Sequence, residues 1–417
     1  MKAMAPFARL GVRSLRGGVS LLASGYVFPG ITYTQSGNLT YFDSTGTLQT
    51  AAVDTMVRDY DPSTLVLRGY PFWEARTNLC LQSANIGTTW STSATTTTLD
   101  TTTSPDGTVN ADSLFDTVAN TTHDLTQNIT IANATVYTFS IFAKQATLTK
   151  CELIATRGGG ASFLARGFDL AAGTSSANQS GLPDAGSASS FITPVGNGFY
   201  RIGITFTSDG TAGVVRVRLA NASGVVSYAG SVQSIALFGG VLEAGSFATP
   251  YIATTTGAVT RAAPSCAVTG TNFSNIYNQL GDTVVATIKR SAAISNSVAW
   301  CISDGTFNEF IGVYTDGTPN HVYTVNDGGV QQVGMQLLAG AGTANTNYKS
   351  AVAFKAATFA GAENGITGTP VASGTMPTPN AVYIGSLNGS SQFLNGWLLN
   401  LTIYQSALNA SVGGLSS

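Results

Sequence analysis

The sequence predicts an all-β protein: two antiparallel, jelly-roll-like β-sandwich domains in series behind an extended N-terminal arm. Three observations lead to that class. Charged residues make up only 10% of the chain, against about 25% in an ordinary soluble domain. Polarity therefore comes from Thr, Ser, Asn and Gly, which suit strands and turns, and the Glu-Lys pairing that supports exposed helices is almost absent. Finally, apolar and polar residues alternate with period two in segment after segment, the mark of antiparallel strands that cover a core on one side.

Taken in chain order, residues 1–69 read as an anchoring arm followed by hairpins. Lys2, Arg9, Arg13 and Arg16 give the first residues a superficial likeness to a secretory signal. Arg13, Arg16 and Gly17-Gly18 interrupt the apolar run that such a signal needs, so residues 1–24 are expected to be a docking arm. Leu39 to Gln49 carries two short strands around Asp43-Ser44-Thr45-Gly46, which is hairpin chemistry. Asp61-Pro62-Ser63 is a second turn signal.

Residues 70–249 are expected to form the first sandwich. Tyr137, Phe139 and Ile141 alternate with Thr138, Ser140 and Phe142; Tyr200, Ile202, Ile204 and Phe206 alternate with Arg201, Gly203, Thr205 and Thr207. Val215, Val217 and Leu219 alternate with Arg216 and Arg218. Residues 174–190 read as a Gly/Ser/Asn-rich loop, and Gly158-Gly159-Gly160 as a hairpin tip. Residues 250–264, small, polar and bounded by prolines, are expected to be a linker.

Residues 265–417 are expected to form the second sandwich. Val284, Ala286 and Ile288, the run Phe310 to Tyr314, and Tyr348, Ser350, Val352 and Phe354 mark its strands. The closing strand sets Trp397, Leu399, Leu401 and Ile403 on one face and Asn400, Thr402 and Tyr404 on the other.

Charge and composition exclude several functions. The net charge of −2 provides no basic field for nucleic acid or an anionic membrane. No stretch approaches the roughly 18 apolar residues of a membrane span. The four cysteines, Cys80, Cys151, Cys266 and Cys301, have neither CxxC spacing nor a partner histidine, so free buried thiols are expected, with no metal site and no cofactor. Asp304, Asp316 and Asp327 each precede glycine and read as turn residues rather than calcium ligands.

Catalysis is poorly supplied, and no enzymatic activity is expected. The only histidines, His123 and His321, fall in different domains, and His321 reads as a strand residue. Of the isolated glutamates Glu152, Glu243, Glu309 and Glu363, only Glu309 resembles half of a glycosidase pair, and a turn residue is the simpler reading. Aromatic side chains near loops with amides beside them are what sugar binding uses, since pyranose rings stack on aromatic faces. Trp300, Asn308, Tyr314, Tyr323 and Asn326 are the candidate ligand-binding residues on that ground.

Several stretches carry a resemblance. Residues 40–52, Arg58-Asp59-Tyr60-Asp61-Pro62-Ser63-Thr64-Leu65, and Glu74-Ala75-Arg76-Thr77-Asn78-Leu79 followed by Trp90 resemble the N-terminal module of phage tail-fibre and other virion proteins with a carbohydrate-binding-module-like sandwich. Gly196-Asn197-Gly198-Phe199-Tyr200-Arg201-Ile202 and residues 242–251 resemble later strands of that sandwich. Tyr383-Ile384-Gly385-Ser386-Leu387-Asn388-Gly389 and residues 394–404 are similar to concanavalin-A-like, laminin-G-like domains. The resemblance implies a virion-surface fibre, assembled in the host cytoplasm as a homotrimer. It would be held to other virion proteins by its arm and would touch a host-surface glycan. A non-binding capsid, neck or tail decoration protein and a secreted polysaccharide-binding or polysaccharide-active protein are the alternatives.

Overall fold

A computed structural model describes residues 18–156, 163–176, 189–340 and 342–417. It is all-β, with almost every long segment in antiparallel sheet. The chain divides into two compact units that do not follow the expected boundaries. One contains residues 18–34, Arg68–Glu74 and Pro264–Ser417; the other contains Gln35–Leu67 and Ala75–Ala263.

The second of these units is a sandwich of two six-stranded sheets. One sheet runs in the order Thr95–Thr103, Val109–Asp116, Ser234–Ala244, Val136–Gln145, Tyr200–Thr207, Ser189–Pro194; the other runs Thr174–Ser176, Phe163–Asp169, Lys150–Thr156, Ala212–Ala220, Asp124–Thr130, Ser91–Ser93. The alternating residues read from the sequence form the core between them: Tyr137, Phe139, Ile141, Ile202, Ile204, Phe206, Val215, Val217 and Leu219 are all buried together.

The first sheet departs from the expected single polar face. Phe142, Phe199, Phe238, Val241 and Tyr251 form a second cluster on its other side, and Leu48 from the Thr40–Phe42/Leu48–Thr50 hairpin packs into it. A strand covered on both faces has no reason to alternate, which accounts for the continuous apolar run from Ile235 to Leu242. The hairpin itself forms as expected, with Asp43 Oδ1 accepting from the Thr45 and Thr47 backbone N–H groups at 2.9 and 3.1 Å. At the second turn signal, Asp61 Oδ1 likewise accepts from Ser63 and Thr64 N–H at 3.0 and 2.9 Å.

The expected linker is instead part of this unit. Val259–Arg261 pairs with Arg76–Asn78, while Ile252 and Arg261 are fully buried. Small polar residues between prolines suit a free linker, but equally a strap whose backbone is tied to its neighbours, and composition alone cannot separate the two.

The other unit is also a two-sheet sandwich. Its first sheet runs Tyr26–Val27, Gly18–Ala23, Gly396–Tyr404, Asp282–Arg290, Asn347–Lys355, Thr358–Glu363, Ile366–Thr367, with Tyr70 to Phe72 pairing beside Leu398 to Gly396. Its second, seven-stranded sheet runs Val330–Leu338, His321–Asp327, Phe310–Thr315, Ser297–Ser303, Ala381–Ile384, Ser265–Thr269, Thr32–Thr34. The closing strand forms where the sequence predicts it, with Leu401 and Ile403 fully buried, but its expected alternation is corrected: a register shift at Leu399 leaves that side chain half-buried and puts Leu398 in the core instead.

The expected arm is corrected here. Gly18–Ala23 is a sheet strand paired along Gly396–Tyr404, with Leu21 and Leu22 fully buried. Residues 1–17, the rest of that arm, lie outside the described residues, as do Gly158-Gly159-Gly160 and most of the 174–190 loop.

Candidate functional site

The five candidate residues fall on opposite sides of one sheet. Cross-strand register places Trp300, Val313 and Tyr323 in one row and Val298, Tyr314 and Val322 in another. The first row points inward: Trp300 and Tyr323 are 1% and 0% exposed, and Tyr323 Oη reaches Ala353 O of the facing sheet at 3.5 Å. Trp300 and Tyr323 are therefore core residues, a correction to their reading as ligand contacts. A register irregularity between Val298 and Trp300 separates the two rows, and such a shift changes which side chains share a face.

Tyr314, Asn308 and Asn326 lie together on the outer side, in company that sequence reasoning missed. Val298, Cys301, Phe310 and Leu387 form a small buried cluster there, and Phe307, Tyr314 and Tyr383 pack against it as half-buried rings. Phe307 stacks on Phe310 with centroids 4.5 Å apart, and Tyr314 meets Phe307 edge-on at 5.6 Å. The Phe310 ring lies over Gly312, where an added Cβ would sit 2.8 Å from it. Period two could have shown that Phe310, Gly312 and Tyr314 share a face. The contribution of Phe307, which comes from a loop, has no periodic signal.

Loops hold these rings in place. Asn326 Nδ2 donates to Phe307 O at 2.8 Å, and Asn388 Nδ2 donates to Gly305 O at 2.8 Å. Asp304 Oδ1 accepts from the Thr306 N–H at 2.9 Å and from its hydroxyl at 2.7 Å. Asn308 is exposed at the loop tip, its carbonyl accepting from Gly329 N–H at 3.0 Å. The buried Thr324 hydroxyl and Asn326 Oδ1 make no hydrogen bond to protein. Burial, with Cys301 and Asp304 nearby, raises the Tyr383 phenol above its ordinary range, and burial pushes the Cys301 thiol up to about 12. Both stay protonated at neutral pH, so the face offers rings, hydroxyls and amides rather than a nucleophile.

The residues considered for catalysis are otherwise engaged. Glu309 Oε1 accepts from Gly328 N–H at 2.9 Å and its Oε2 from Thr378 N–H at 2.6 Å, which joins two loops. His321 is fully buried, its Nδ1 2.9 Å from Glu363 and its Nε2 3.3 Å from Arg290 Nη1. His123 is also fully buried, its ring nitrogens 2.6 and 3.2 Å from the carbonyls of Ala94 and Tyr228. Asp316 is an ordinary turn carboxylate, held below the usual range by hydrogen bonds from Asn320 and Thr318. At the Asp327 hairpin the left-handed turn positions are Gly328 and Gly329, with φ of 58° and 77°. Among the described residues no group of three or more His, Cys, Asp or Glu side chains could hold a metal ion.

No family model matches the chain, and no curated protein matches it. Three solved structures show what it is similar to. A Ruminococcus gnavus sialidase carbohydrate-binding module, CBM40, is 9% identical at a TM-score of 0.30, over 34% of this chain and 86% of that one. The mouse laminin α1 LG4-5 domains are 11% identical at 0.27, over 70% and 90%. The enzymatically active domain of bacteriophage CBA120 tailspike protein 4 is 14% identical at 0.26, over 40% of this chain and only 21% of the tailspike chain.

Proposed function

We propose that this chain is a non-catalytic structural protein of a phage particle whose laminin-G-like unit binds a glycan on the host surface. The observation that carries the reading is the outer face of the seven-stranded sheet. Phe307, Tyr314 and Tyr383 are half-buried there, beside Asn308, Asn326 and Asn388. Aromatic faces give sugar rings an apolar platform, and amides satisfy hydroxyls. The occupied oxygens of Glu309 and the burial of both histidines support a binding role over a hydrolytic one. A projecting homotrimeric fibre, held in the virion through its N-terminal residues, is the proposed setting.

The test is binding of the labelled intact chain to host cells before and after periodate oxidation of their surface sugars. The intact chain is required because Gly18–Ala23 supplies a strand to the C-terminal unit. Periodate-sensitive binding that Tyr314→Ala weakens by about tenfold is the expected result. Absence of binding by a folded chain would overturn the glycan role and leave a decoration protein.

A further inference from the structure

Lysine and arginine are distributed unevenly over the C-terminal unit. Among its described residues the basic side chains are Arg68, Lys289, Arg290, Lys349 and Lys355. All five lie on strands of the sheet that contains Gly396–Tyr404. The seven-stranded sheet and its connecting loops contain none: the sequence has no Lys or Arg from Ser265 to Ile288, from Ser291 to Tyr348, or after Lys355. That sheet's loops instead contain Asp304, Glu309 and Asp316, and Asp327 ends its strand His321–Asp327. Asp304 and Glu309 flank Phe307, and Asp304 also lies close enough to Tyr383 to act on its phenol.

We infer that the ligand of this face is a neutral glycan, and that glycans built on sialic acid, uronic acid or phosphate are turned away. The inference rests on the glycan-binding reading above and narrows it to a substrate class. An acidic sugar needs a cation or a set of convergent N–H donors to replace the water it loses. This sheet and its loops contain no Lys or Arg, and Asn326 and Asn388 each commit one amide N–H to a backbone carbonyl. A carboxylate placed on the Phe307–Tyr314 edge would lie within a screening length of like charges. A neutral hexose or N-acetylhexosamine brings no such conflict. Its apolar ring face matches the aromatic edge, and its hydroxyls can meet the exposed Asn308 amide next to Phe307.

The experiment presents the intact chain with immobilised neutral oligosaccharides (glucans, galactans and N-acetylglucosamine oligomers) and, in parallel, with polygalacturonate and polysialic acid. A neutral oligosaccharide should bind with an affinity unchanged between 0.05 and 0.5 M salt, values on the order of those that bracket physiological screening. Tyr314→Ala should weaken that binding by about tenfold, the loss of one aromatic platform, whereas Tyr314→Phe should retain it and so controls for folding. Asn308→Lys, an exposed change, should create acidic-polymer binding that salt abolishes. Acidic polymer bound by the unaltered chain and lost in Tyr314→Ala would overturn the inference while leaving the glycan role in place. Neutral binding insensitive to Tyr314→Ala would overturn it as well, by placing the site elsewhere. Failure of every sugar to bind a folded chain would remove the glycan-binding reading itself, and the inference with it.

Discussion

Both carboxylate oxygens of Glu243 are taken by one residue, Thr249: its N–H donates to Oε1 at 2.8 Å and its hydroxyl to Oε2 at 2.6 Å. Around that pair Arg261 Nη1 donates to Thr249 Oγ1 and to Pro250 O, each at 3.1 Å, and Arg201 Nη1 donates to Thr249 O at 2.6 Å. Nearby, Asn78 uses its whole amide, donating to Gly240 O and Ile252 O and accepting from the N–H groups of Cys80 and Leu242. Arg201, Glu243, Thr249 and Asn78 all belong to the stretches read from the sequence as strands of a carbohydrate-binding-module-like sandwich. What those stretches encode here is a buried polar clamp, not an exposed site.

Removing one partner from a buried charged network leaves the other unpaired, at a cost of about 3 kcal/mol or more. Glu243→Ala should therefore destabilise this unit by about that amount, and Thr249→Val by about 2 kcal/mol, since it keeps the N–H bond but loses the hydroxyl. Urea unfolding monitored by fluorescence checks both. A loss below about 0.5 kcal/mol for Glu243→Ala would show that the clamp contributes little.

The legibility of this fold follows from what a strand reports. Tyr137, Phe139 and Ile141, or Leu401 and Ile403, announce their class because one face is buried and period two is visible. Gly18–Ala23 does not reveal its partner, because the strand it pairs with is at the other end of the chain, around Leu401 to Tyr404. The strap around Ile252 reads as a linker because backbone ties leave no pattern in side chains. At the candidate site Tyr314, Asn308 and Asn326 were within reach of sequence reasoning. Trp300 was misassigned because the irregularity after Val298 cannot be seen in the sequence.

Asp282 should make the C-terminal unit less stable as pH rises. Its side chain is fully buried, with Oδ2 accepting from Asn278 N–H at 2.8 Å and Oδ1 unpartnered, and burial pushes its carboxyl up to about 7. The folded state thus holds the proton more tightly than the unfolded chain, whose aspartate titrates near 3.9. Stability from this group is complete below about pH 4 and is lost as pH rises through about 7. Asp282→Asn should abolish that slope and be more stable than the parent at pH 8, by on the order of 2 kcal/mol. Thermal unfolding at pH 4, 6 and 8, values on the order of those spanning the titration, tests the sign; a parent more stable at pH 8 than at pH 4 refutes it.

His321 bridges two charged side chains inside the same unit. Arg290 can only donate, so the Nε2 that it faces accepts, and Nδ1 carries the proton toward Glu363. Glu363→Ala would leave Arg290 buried without its anionic neighbour and should cost about 3–5 kcal/mol. Glu309→Gln, at an exposed loop junction, should cost at most about 1 kcal/mol. A double-mutant cycle of His321→Ala with Glu363→Ala should return a coupling of about 1 kcal/mol or more; additive losses would mean that the two side chains act independently.

Truncation separates a structural strand from the proposed anchor. Deleting through Ala23 removes the strand along Gly396–Tyr404 and exposes the surfaces that Leu21 and Leu22 cover. Each leucine is worth about 2 kcal/mol of burial, and the lost strand adds an unprotected sheet edge open to association. The truncated chain should therefore show a lowered unfolding midpoint for the C-terminal unit and concentration-dependent aggregation. Deleting only residues 1–17 leaves that strand whole, so its midpoint should match the parent's while incorporation into particles fails. Loss of folding in both truncations would place the first residues within the folded unit rather than in an anchor. Normal incorporation of the shorter deletion would assign attachment to another part of the chain.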